Sequence, residues 1–284
     1  MRADERFDWL GSIPYFTIHF LALGVFFFPF EWRWVGLFFL SYLIRMFGVT
    51  AGYHRYFSHR TYTLGRVSQF LLGWLASTSS QKGILWWAGN HRHHHRFSDM
   101  EEDIHSPIQR GFWWSHHLWI LCERYMPTRW DLLKDWKKFP ELIWLNQFWY
   151  IPVGLYGVLM YFLGGWPGFF WGFALSTVFL WHGTFTINSL SHVWGRRRFH
   201  TKDGSRNNGV LALVTLGEGW HNNHHRYMSA SRQGMFWYEL DITYLILKGL
   251  SLFGIVRGLR TYPVQIYQEA LRLNTKSQKK RVVV

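Results

Sequence analysis

Four apolar runs, arranged as two close pairs, constrain the fold of this chain more than any other feature. The first pair covers residues 13–30 and 34–52, and the second covers residues 150–164 and 169–190. The hydrocarbon core of a bilayer is about 30 Å thick and takes roughly 20 helical residues to cross. Only a few residues separate the two runs of each pair. The sequence therefore predicts four transmembrane helices in two hairpins.

The rest of the chain is more polar and is predicted to form a helical cap. Residues 53–147 and 191–270 contain no apolar run of comparable length, and the mean hydropathy of −0.09 averages these regions with the spans. Aromatic residues make up 20% of the chain, which excludes disorder and is typical of rings at a membrane interface. We expect one all-α integral membrane domain over residues 1–284, with a disordered tail at 271–284.

The distribution of basic residues predicts the orientation in the membrane. The hairpin tips carry only Arg33, whereas the opposite face carries Arg196, Arg197, Arg198 and a basic tail, within a net charge of +14. By the positive-inside rule, the cap and both termini are cytoplasmic. Residues 1–10 are polar and lack a cleavage pattern, so we expect the N-terminus to be retained.

The chain contains 16 histidines but only one cysteine, Cys122, which excludes disulfides, cysteine-rich zinc sites and iron–sulfur centres. Eight of the histidines form three clusters: His54 and His59; His91, His94 and His95; His221, His224 and His225. In the last two clusters the i, i+3, i+4 spacing places three imidazoles on one helical face, whereas His93 lies about 200° from His91. His54 and His59, about 140° apart on an ideal helix, converge only if the helix ends or distorts.

Eight imidazoles are too many for one metal ion and suit two. Imidazole is a ligand for iron, zinc and copper, and iron that activates dioxygen is the best match for a site beside a bilayer. Isolated histidines are more often satisfied polar groups, which is the interpretation we give to a separate set: His19, His116, His117, His182 and His200.

At these clusters the sequence resembles the membrane fatty acyl desaturases, most closely the delta-9 acyl-CoA type that includes stearoyl-CoA desaturase. That family has one HxxxxH box and two HxxHH boxes, and the likeness extends into the flanking segments over roughly residues 12–260. The resemblance implies four transmembrane helices under a cytosolic cap that holds two iron ions. It also implies an enzyme that uses dioxygen to introduce a cis double bond, at carbon 9, into a saturated acyl chain carried by coenzyme A.

The resemblance also implies roles for residues outside the boxes. The Asn-x-x-x-His pattern at the end of the fourth run makes His192 a ninth ligand and lets Asn188 bind a metal through water. Asp99, Asp103 and Glu218 are candidates to orient imidazoles by hydrogen bonding. No catalytic side chain is implied beyond the metal centre.

Substrate contacts follow from the same likeness. Tyr42 and Met46 resemble residues that close the far end of the acyl tunnel, so Met46 is predicted to limit chain length. The surface that contacts the acyl carrier is expected at Gln81, Trp86, Trp87 and Arg124. The animal enzymes have further basic residues in this region that the chain lacks, which leaves open an acyl chain carried by a membrane lipid or by acyl carrier protein.

No haem-binding, flavin-binding or cysteine-rich electron-transfer motif is present, so electrons are expected from a separate protein such as ferredoxin with its reductase. The basic cap favours an acidic donor, and no nucleic-acid recognition module is found. Two alternatives share the scaffold, an acyl-lipid desaturase and a diiron membrane hydroxylase. A histidine-rich metal transporter is the alternative from a different class.

Overall fold

The computed structural model describes residues 5–282, with side chains to residue 275, so the predictions for residues 1–4 and 283–284 lie outside the described residues. Its backbone is mostly helical. The helices are α1 (Trp9–Ala22), α2 (Trp32–Phe47), α3 (Arg66–Ser77), α4 (Ile84–Phe97), α5 (Pro107–Arg110), α6 (Phe112–His116), α7 (Pro140–Gln147), α8 (Tyr150–Gly168), α9 (Ser176–Ser189), α10 (Gly209–Val214), α11 (His221–Arg226), α12 (Ile242–Leu252) and α13 (Val264–Val282). Short 3₁₀ turns cover Leu23–Phe27, Leu118–Leu121, Glu123–Tyr125, Trp130–Leu132 and Leu190–His192, and π-helices cover Gly48–Ser58 and Phe169–Leu175.

Within the described residues, three continuous helical segments are long and apolar enough to cross a membrane. They are Trp9–Phe27, Trp32–Ser58 and Tyr150–His192. The first two correspond to the predicted runs 13–30 and 34–52, although the second helix continues six residues further. Large apolar side chains such as Leu10, Phe20 and Phe26 are exposed on the first segment. Such a surface is stable against lipid but not against water.

The third segment contains 43 residues, about 65 Å of helix and roughly twice the bilayer core. Helical geometry breaks at Gly164 and Gly165, where φ is −161° and 59°. The two halves then pack together, because a Cβ on Gly168 would lie 2.5 Å from the Met160 carbonyl oxygen and one on Gly157 would touch Phe173. The segment therefore folds back on itself where the sequence predicts the second hairpin.

A buried cation lies among these apolar helices. Arg45 of α2 is fully buried, and its guanidinium donates to Thr177 Oγ1 at 2.7 Å and to the Thr78 carbonyl at 3.4 Å. It also contacts Ser176 Oγ and stacks over the Tyr156 ring. These described partners are neutral. A charge at this depth is stable only where polar groups replace the lost water.

The segment Gly48–Ser58 continues α2 as a π-helix, in which backbone N–H groups bond to carbonyls five residues back. The His59 N–H, for example, donates to the His54 carbonyl at 3.2 Å. Gly48 and Gly52 allow this segment to lie directly on α3. A Cβ on Gly48 would be 3.0 Å from the Leu75 carbonyl, and one on Gly52 would be 3.0 Å from the Ala76 Cβ.

The polar regions pack against the apolar helices, and residues of α3, α4, α7 and α12 share a buried core with α2 and α9. One departure from an all-α fold is a two-residue antiparallel ribbon, β1 (Thr63–Leu64) with β2 (Val256–Arg257). It forms because both segments are extended after a helix ends, and pairing satisfies their backbone groups.

The chain remains helical over residues 264–282, where disorder is predicted from residue 271 onward. Ala270 is fully buried and packs with Phe199, Met235 and Phe236, which anchors α13 to the cap. The following residues include good helix formers such as Leu271 and Arg272, so the helix propagates from that anchor.

The close approach of the π-helix to α3 generates a stability prediction. We expect Gly52→Leu to lower the free energy of unfolding by about 1–3 kcal/mol, because the side chain overpacks against Ala76 and Leu72. The measurement is thermal unfolding of the purified protein in detergent. Gly36→Leu is the matched control, since a Cβ there meets nothing within 4 Å. Equal losses in both variants would contradict the packing argument.

Candidate metal centre

Five histidines from three elements form the first histidine group, with one nitrogen of each ring within 4.8 Å of the others. The group consists of His54, His59, His91, His95 and His224. His54 and His59 come from the π-helix and its end. Because i and i+5 stack in a π-helix, the two rings meet at 4.8 Å between centroids, which is the distortion that the sequence spacing requires.

The spacing of the nitrogens in the first group suits the ligands of one ion. Successive Nε2–Nε2 distances are 2.8 Å for His59–His91, 3.0 Å for His91–His95, 3.0 Å for His95–His224 and 3.1 Å for His224–His54. Two nitrogens at right angles around an ion about 2.1 Å away lie about 3.0 Å apart. His54 Nδ1 faces a carboxylate, which can only accept, so its Nε2 is a bare lone pair turned towards the other rings.

Four histidines form the second histidine group, which consists of His94, His192, His221 and His225. His192 Nε2 and His221 Nε2 are 3.1 Å apart. His225 Nε2 is buried and has no hydrogen-bond partner among the described residues, so it is free to bind an ion. The two groups therefore fit two metal ions, because their donors are imidazole nitrogens and these nitrogens are turned towards one another within each group.

Each HxxHH motif is divided between the two groups. Helix α4 gives His91 and His95 to the first group and His94 to the second, whereas α11 gives His224 to the first and His221 and His225 to the second. The three rings on one face of each helix therefore point to two adjacent groups and not to a single one. His192 joins from the 3₁₀ turn that follows α9.

Four carboxylates hold the outward nitrogens of these rings. Glu218 lies 2.5 Å from His54 Nδ1, Asp103 3.0 Å from His94, Asp99 2.8 Å from His192 and Asp203 2.7 Å from His225. Each carboxylate fixes the tautomer that leaves Nε2 free. The first three are the predicted orienting residues. Asp203 stands in a loop outside every motif, and its sequence position carries no periodic signal.

Burial sets the protonation states of four rings of the centre, whereas Asp103 and Asp99 raise the pKa of His94 despite its burial. Burial lowers the pKa of His91, His95, His221 and His224 well below the usual value, so the rings are neutral at pH 7. Burial alone would raise the pKa of Asp99, but hydrogen bonds from His192 and Ser106 outweigh it and lower the pKa to about 2. Neutral imidazoles and ionised carboxylates are the forms that metal binding requires.

Glu218 is held in turn by Arg55, which the sequence analysis does not identify. The buried Arg55 guanidinium donates to Glu218 Oε1 at 2.9 Å and to Asp241 at 2.9 Å. Burial would raise the pKa of Glu218, but the charge of Arg55 and the contact with His54 lower it to about 2. Arg55 directly follows His54, so its proximity to the box is the one signal that could identify it.

The remaining histidines lie outside the two groups. His93 donates to the Glu102 carbonyl at 3.0 Å, on the side of α4 that its helical angle predicts, and His200 is exposed. His116, His182 and His19 form a hydrogen-bonded chain with N–N distances of 2.9 and 3.1 Å, and His117 stacks on Tyr15 beside them. His105 belongs to none of the three histidine clusters in the sequence, and its ring stacks on His94 with ring centroids 4.3 Å apart.

A largely apolar cavity adjoins the histidine groups, with His91, His105 and Asn188 in its wall. The predicted substrate residues Gln81, Trp86 and Trp87 line it, whereas Tyr42, Met46 and Arg124 do not. Across the cavity wall, Gln81 Nε2 donates to Thr184 Oγ1 at 3.0 Å, and Trp87 Nε1 donates to Gln81 Oε1 at 3.3 Å. These two hydrogen bonds, which we call the Gln81–Thr184 clamp, fix the cavity wall close to the first histidine group.

Comparison with known proteins gives a family match over most of the chain. The family model described as fatty acid desaturase matches residues 31–254. The sn-2 palmitoyl-lipid 9-desaturase of Nostoc sp. (strain 36) is 37% identical over 268 residues, which cover 92% of this chain and 93% of the relative. The sn-1 stearoyl-lipid 9-desaturase of Synechocystis sp. (strain ATCC 27184 / PCC 6803 / Kazusa) is also 37% identical, covering 90% of this chain and 81% of the relative.

A further relative is named for a different substrate and a different double-bond position. The icosanoyl-CoA 5-desaturase of Limnanthes douglasii is 32% identical over 271 residues, which cover 93% of this chain and 75% of that protein. Acyl-lipid and acyl-CoA enzymes are therefore both similar to this chain at comparable coverage.

The two-group geometry predicts the metal stoichiometry. We expect about two metal ions per chain by inductively coupled plasma mass spectrometry of the purified protein, and about one in His192→Ala, which loses a ligand of the second group only. His93→Ala is the matched control on α4 and should keep both ions. A wild-type content of one ion, or loss of both ions in the control, would contradict the division into two groups.

The contact between Asp203 and His225 generates a separate prediction. Replacing Asp203 by Asn removes the charge that holds the His225 ring, so the affinity for one of the two ions should fall roughly 10- to 100-fold. Titration with a competing chelator measures this loss. Glu102→Gln, an exposed acidic residue on the same cap, should leave the titration unchanged. An unchanged affinity in Asp203→Asn would remove Asp203 from the centre.

Proposed function

Because the chain belongs to the fatty acid desaturase family, we propose that it is a dioxygen-dependent desaturase that introduces a cis double bond at carbon 9 of a saturated fatty acyl chain. The carrying observation is the pair of histidine groups directly beside an apolar cavity. A saturated chain has no acidic hydrogen, so side-chain acid–base chemistry cannot remove one. The reaction needs an oxidant held next to an apolar binding site.

We assign two iron ions to the two histidine groups. The first ion would be held by His54, His59, His91, His95 and His224, and the second by His94, His192, His221 and His225, with Asn188 binding through water. The all-nitrogen donor set, without cysteine, and the buried unpartnered His225 Nε2 support this assignment. Bound iron would supply the activation of dioxygen.

The chain's own residues contribute binding, orientation and exclusion of water. The carboxylates of Asp99, Asp103, Asp203 and Glu218 hold the imidazoles in one tautomer. The aromatic cavity wall, with Trp86 and Trp87, would bind methylenes in place of water. The Gln81–Thr184 clamp would fix where the chain passes the first histidine group, and so which carbon pair faces it.

The electron balance requires a second protein. Reduction of dioxygen to two waters takes four electrons and four protons, and conversion of two methylenes to a double bond supplies two of each. The other two electrons, with two protons, come from a donor. Ferredoxin with its reductase fits, because an acidic donor would be steered to the basic cap of a chain with net charge +14.

We propose four transmembrane spans with the cap and both termini on the cytoplasmic side. The break at Gly164 and Gly165 and the packing of Gly157 against Phe173 support counting Tyr150–His192 as two spans. The absence of charge at the hairpin tips, apart from Arg33 and its partner Glu31, supports this orientation.

The sequence resemblance favours coenzyme A as the acyl carrier, and a membrane lipid is the carrier named for two relatives, the palmitoyl-lipid and stearoyl-lipid 9-desaturases. Lys82 lines the cavity near Trp86 and can pair with a phosphate of either carrier. The same clamp geometry would operate for both, because it acts on the acyl chain and not on the head group.

Expression in a desaturase-deficient host tests the function. We expect new monounsaturated fatty acids in the wild-type cells and none with His94→Ala, because that ring is a ligand and its removal disrupts the centre. Gas chromatography–mass spectrometry identifies the bond position. His93→Ala should retain activity. Hydroxylated chains without double bonds would instead identify a hydroxylase, and loss of activity in both variants would point to misfolding.

A further inference from the structure

Residues 208–219 form a closed loop directly before α11. The two ends of the loop are joined, because the Asn208 N–H donates to the Gly219 carbonyl at 2.8 Å. Helix α10 lies between these ends, and the single charged residue of the loop is Glu218, which contacts His54. The part of the loop that contains α10 is therefore uncharged, within a region of the chain that is otherwise rich in basic residues.

Helix α10 exposes one apolar face. Val210, Leu213 and Val214 are 61%, 63% and 39% exposed, whereas Leu211 and Ala212 between them are buried. The three exposed side chains have the i, i+3, i+4 spacing of a single helical face. A continuous apolar surface of this kind is stable against lipid or against another protein but not against water.

The end of α10 lies against two of the proposed spans. The Tyr42 hydroxyl of α2 donates to the Val214 carbonyl at 2.8 Å. A Cβ on Gly183 of α9 would be 2.7 Å from that hydroxyl and 3.5 Å from Val214 Cγ1. The missing side chain of Gly183 therefore makes room for this contact, and α10 packs against both α2 and α9.

The positions of these contacts along the spans give the depth of α10. Tyr42 lies roughly 15 Å along α2 from its start at Trp32, and Gly183 lies roughly 20 Å beyond Gly168. The exposed ion pair of Arg33 with Glu31 marks the hairpin tip as the polar end of the first pair of spans. Because the hydrocarbon core is about 30 Å thick, the end of α10 lies roughly 10–15 Å inside its cytoplasmic boundary.

The backbone of the loop meets the condition for entering hydrocarbon. The Asn208 side chain accepts from two N–H groups in the first turn of α10, at 2.9 and 3.2 Å. At the other end, the Ala212 carbonyl accepts from the Gly217 N–H at 2.7 Å, and the Val214 carbonyl accepts from Tyr42. Lipid cannot supply such partners, so a segment that enters a bilayer must obtain them from protein.

On the premise of the proposed four-span topology, we infer that the loop 208–219 is inserted into the cytoplasmic leaflet and that the apolar face of α10 binds the acyl chains of the bilayer. Lipid is the occupant because this face lies at the depth of Phe39 of α2 and Phe179 of α9, whose rings are also exposed. The loop leads directly into α11, so the membrane contacts the segment before His221.

Power-saturation electron paramagnetic resonance of a nitroxide label tests the depth. The full chain with Cys122→Ala is reconstituted in phosphatidylcholine vesicles, and one introduced cysteine carries the label. Leu213→Cys is the test position, Phe39→Cys marks the hydrocarbon and Lys202→Cys marks the exposed cap. We expect the ratio of O₂ to nickel-complex accessibility to be severalfold higher at Leu213 than at Lys202, and close to that at Phe39, because O₂ enters hydrocarbon and the complex stays in water.

The control positions distinguish the ways in which the inference can fail. A ratio at Leu213 equal to that at Lys202, with Phe39 in hydrocarbon, would overturn the insertion and leave the topology intact. Low accessibility of Leu213 to both reagents would mean that protein covers α10, which also overturns it. A low ratio at Phe39 would overturn the four-span topology together with the inference. Val210→Cys, on the same face, should repeat the result for Leu213, so the test does not depend on one variant.

Discussion

The close approach of imidazole nitrogens in the two histidine groups imposes the strongest constraint on this fold. Lone pairs about 3 Å apart repel one another unless a cation lies between them, and an outward ring nitrogen that is buried favours a hydrogen-bond partner other than water. Carboxylates meet that need for His54, His94, His192 and His225. A buried carboxylate must itself be neutralised or hydrogen-bonded, and Arg55 does this for Glu218.

The backbone meets part of the same demand. Asp103 accepts from the N–H of Asp99 at 2.8 Å, and Asp99 accepts from the N–H of Gly204 at 2.7 Å. The loop around residue 204 and the segment after α4 are therefore tied together through the carboxylates that orient His94 and His192. Loops with little regular structure become rigid in this way, because their amides have no better partners once they are buried.

The sequence predicts the histidine groups well because helical spacing is a local property. The two i, i+3, i+4 patterns identify six of the nine rings, and His192 follows only from the family resemblance. The angle of about 140° between His54 and His59 on an ideal helix predicts a distortion there. The type of distortion, a π-helix, depends on packing against α3, which no local pattern reveals. Asp203 and Arg55 were missed for the same reason, since their roles arise from contacts between distant segments. The disordered tail at 271–284 stays a prediction; the described backbone is helical to Val282, and Ala270 packs against the cap.

The turn between α3 and α4 connects the membrane helices to the cavity. It is not helical, and Ser80 and Lys82 have φ values of 58° and 64°, which is costly for residues with side chains. Its carbonyls are nevertheless satisfied by side chains of the apolar helices: Arg45 bonds Thr78, Trp181 bonds Ser79 and Tyr53 bonds Lys82. Non-helical backbone is tolerated at such depth only when protein replaces water in this way. The same hydrogen bonds hold Gln81 in the cavity wall. The turn therefore provides both a partner for the buried Arg45 and the position of the Gln81–Thr184 clamp. Arg45, a charged residue inside an apolar run, therefore has a structural role in holding this turn, which the hydropathy of the sequence does not reveal.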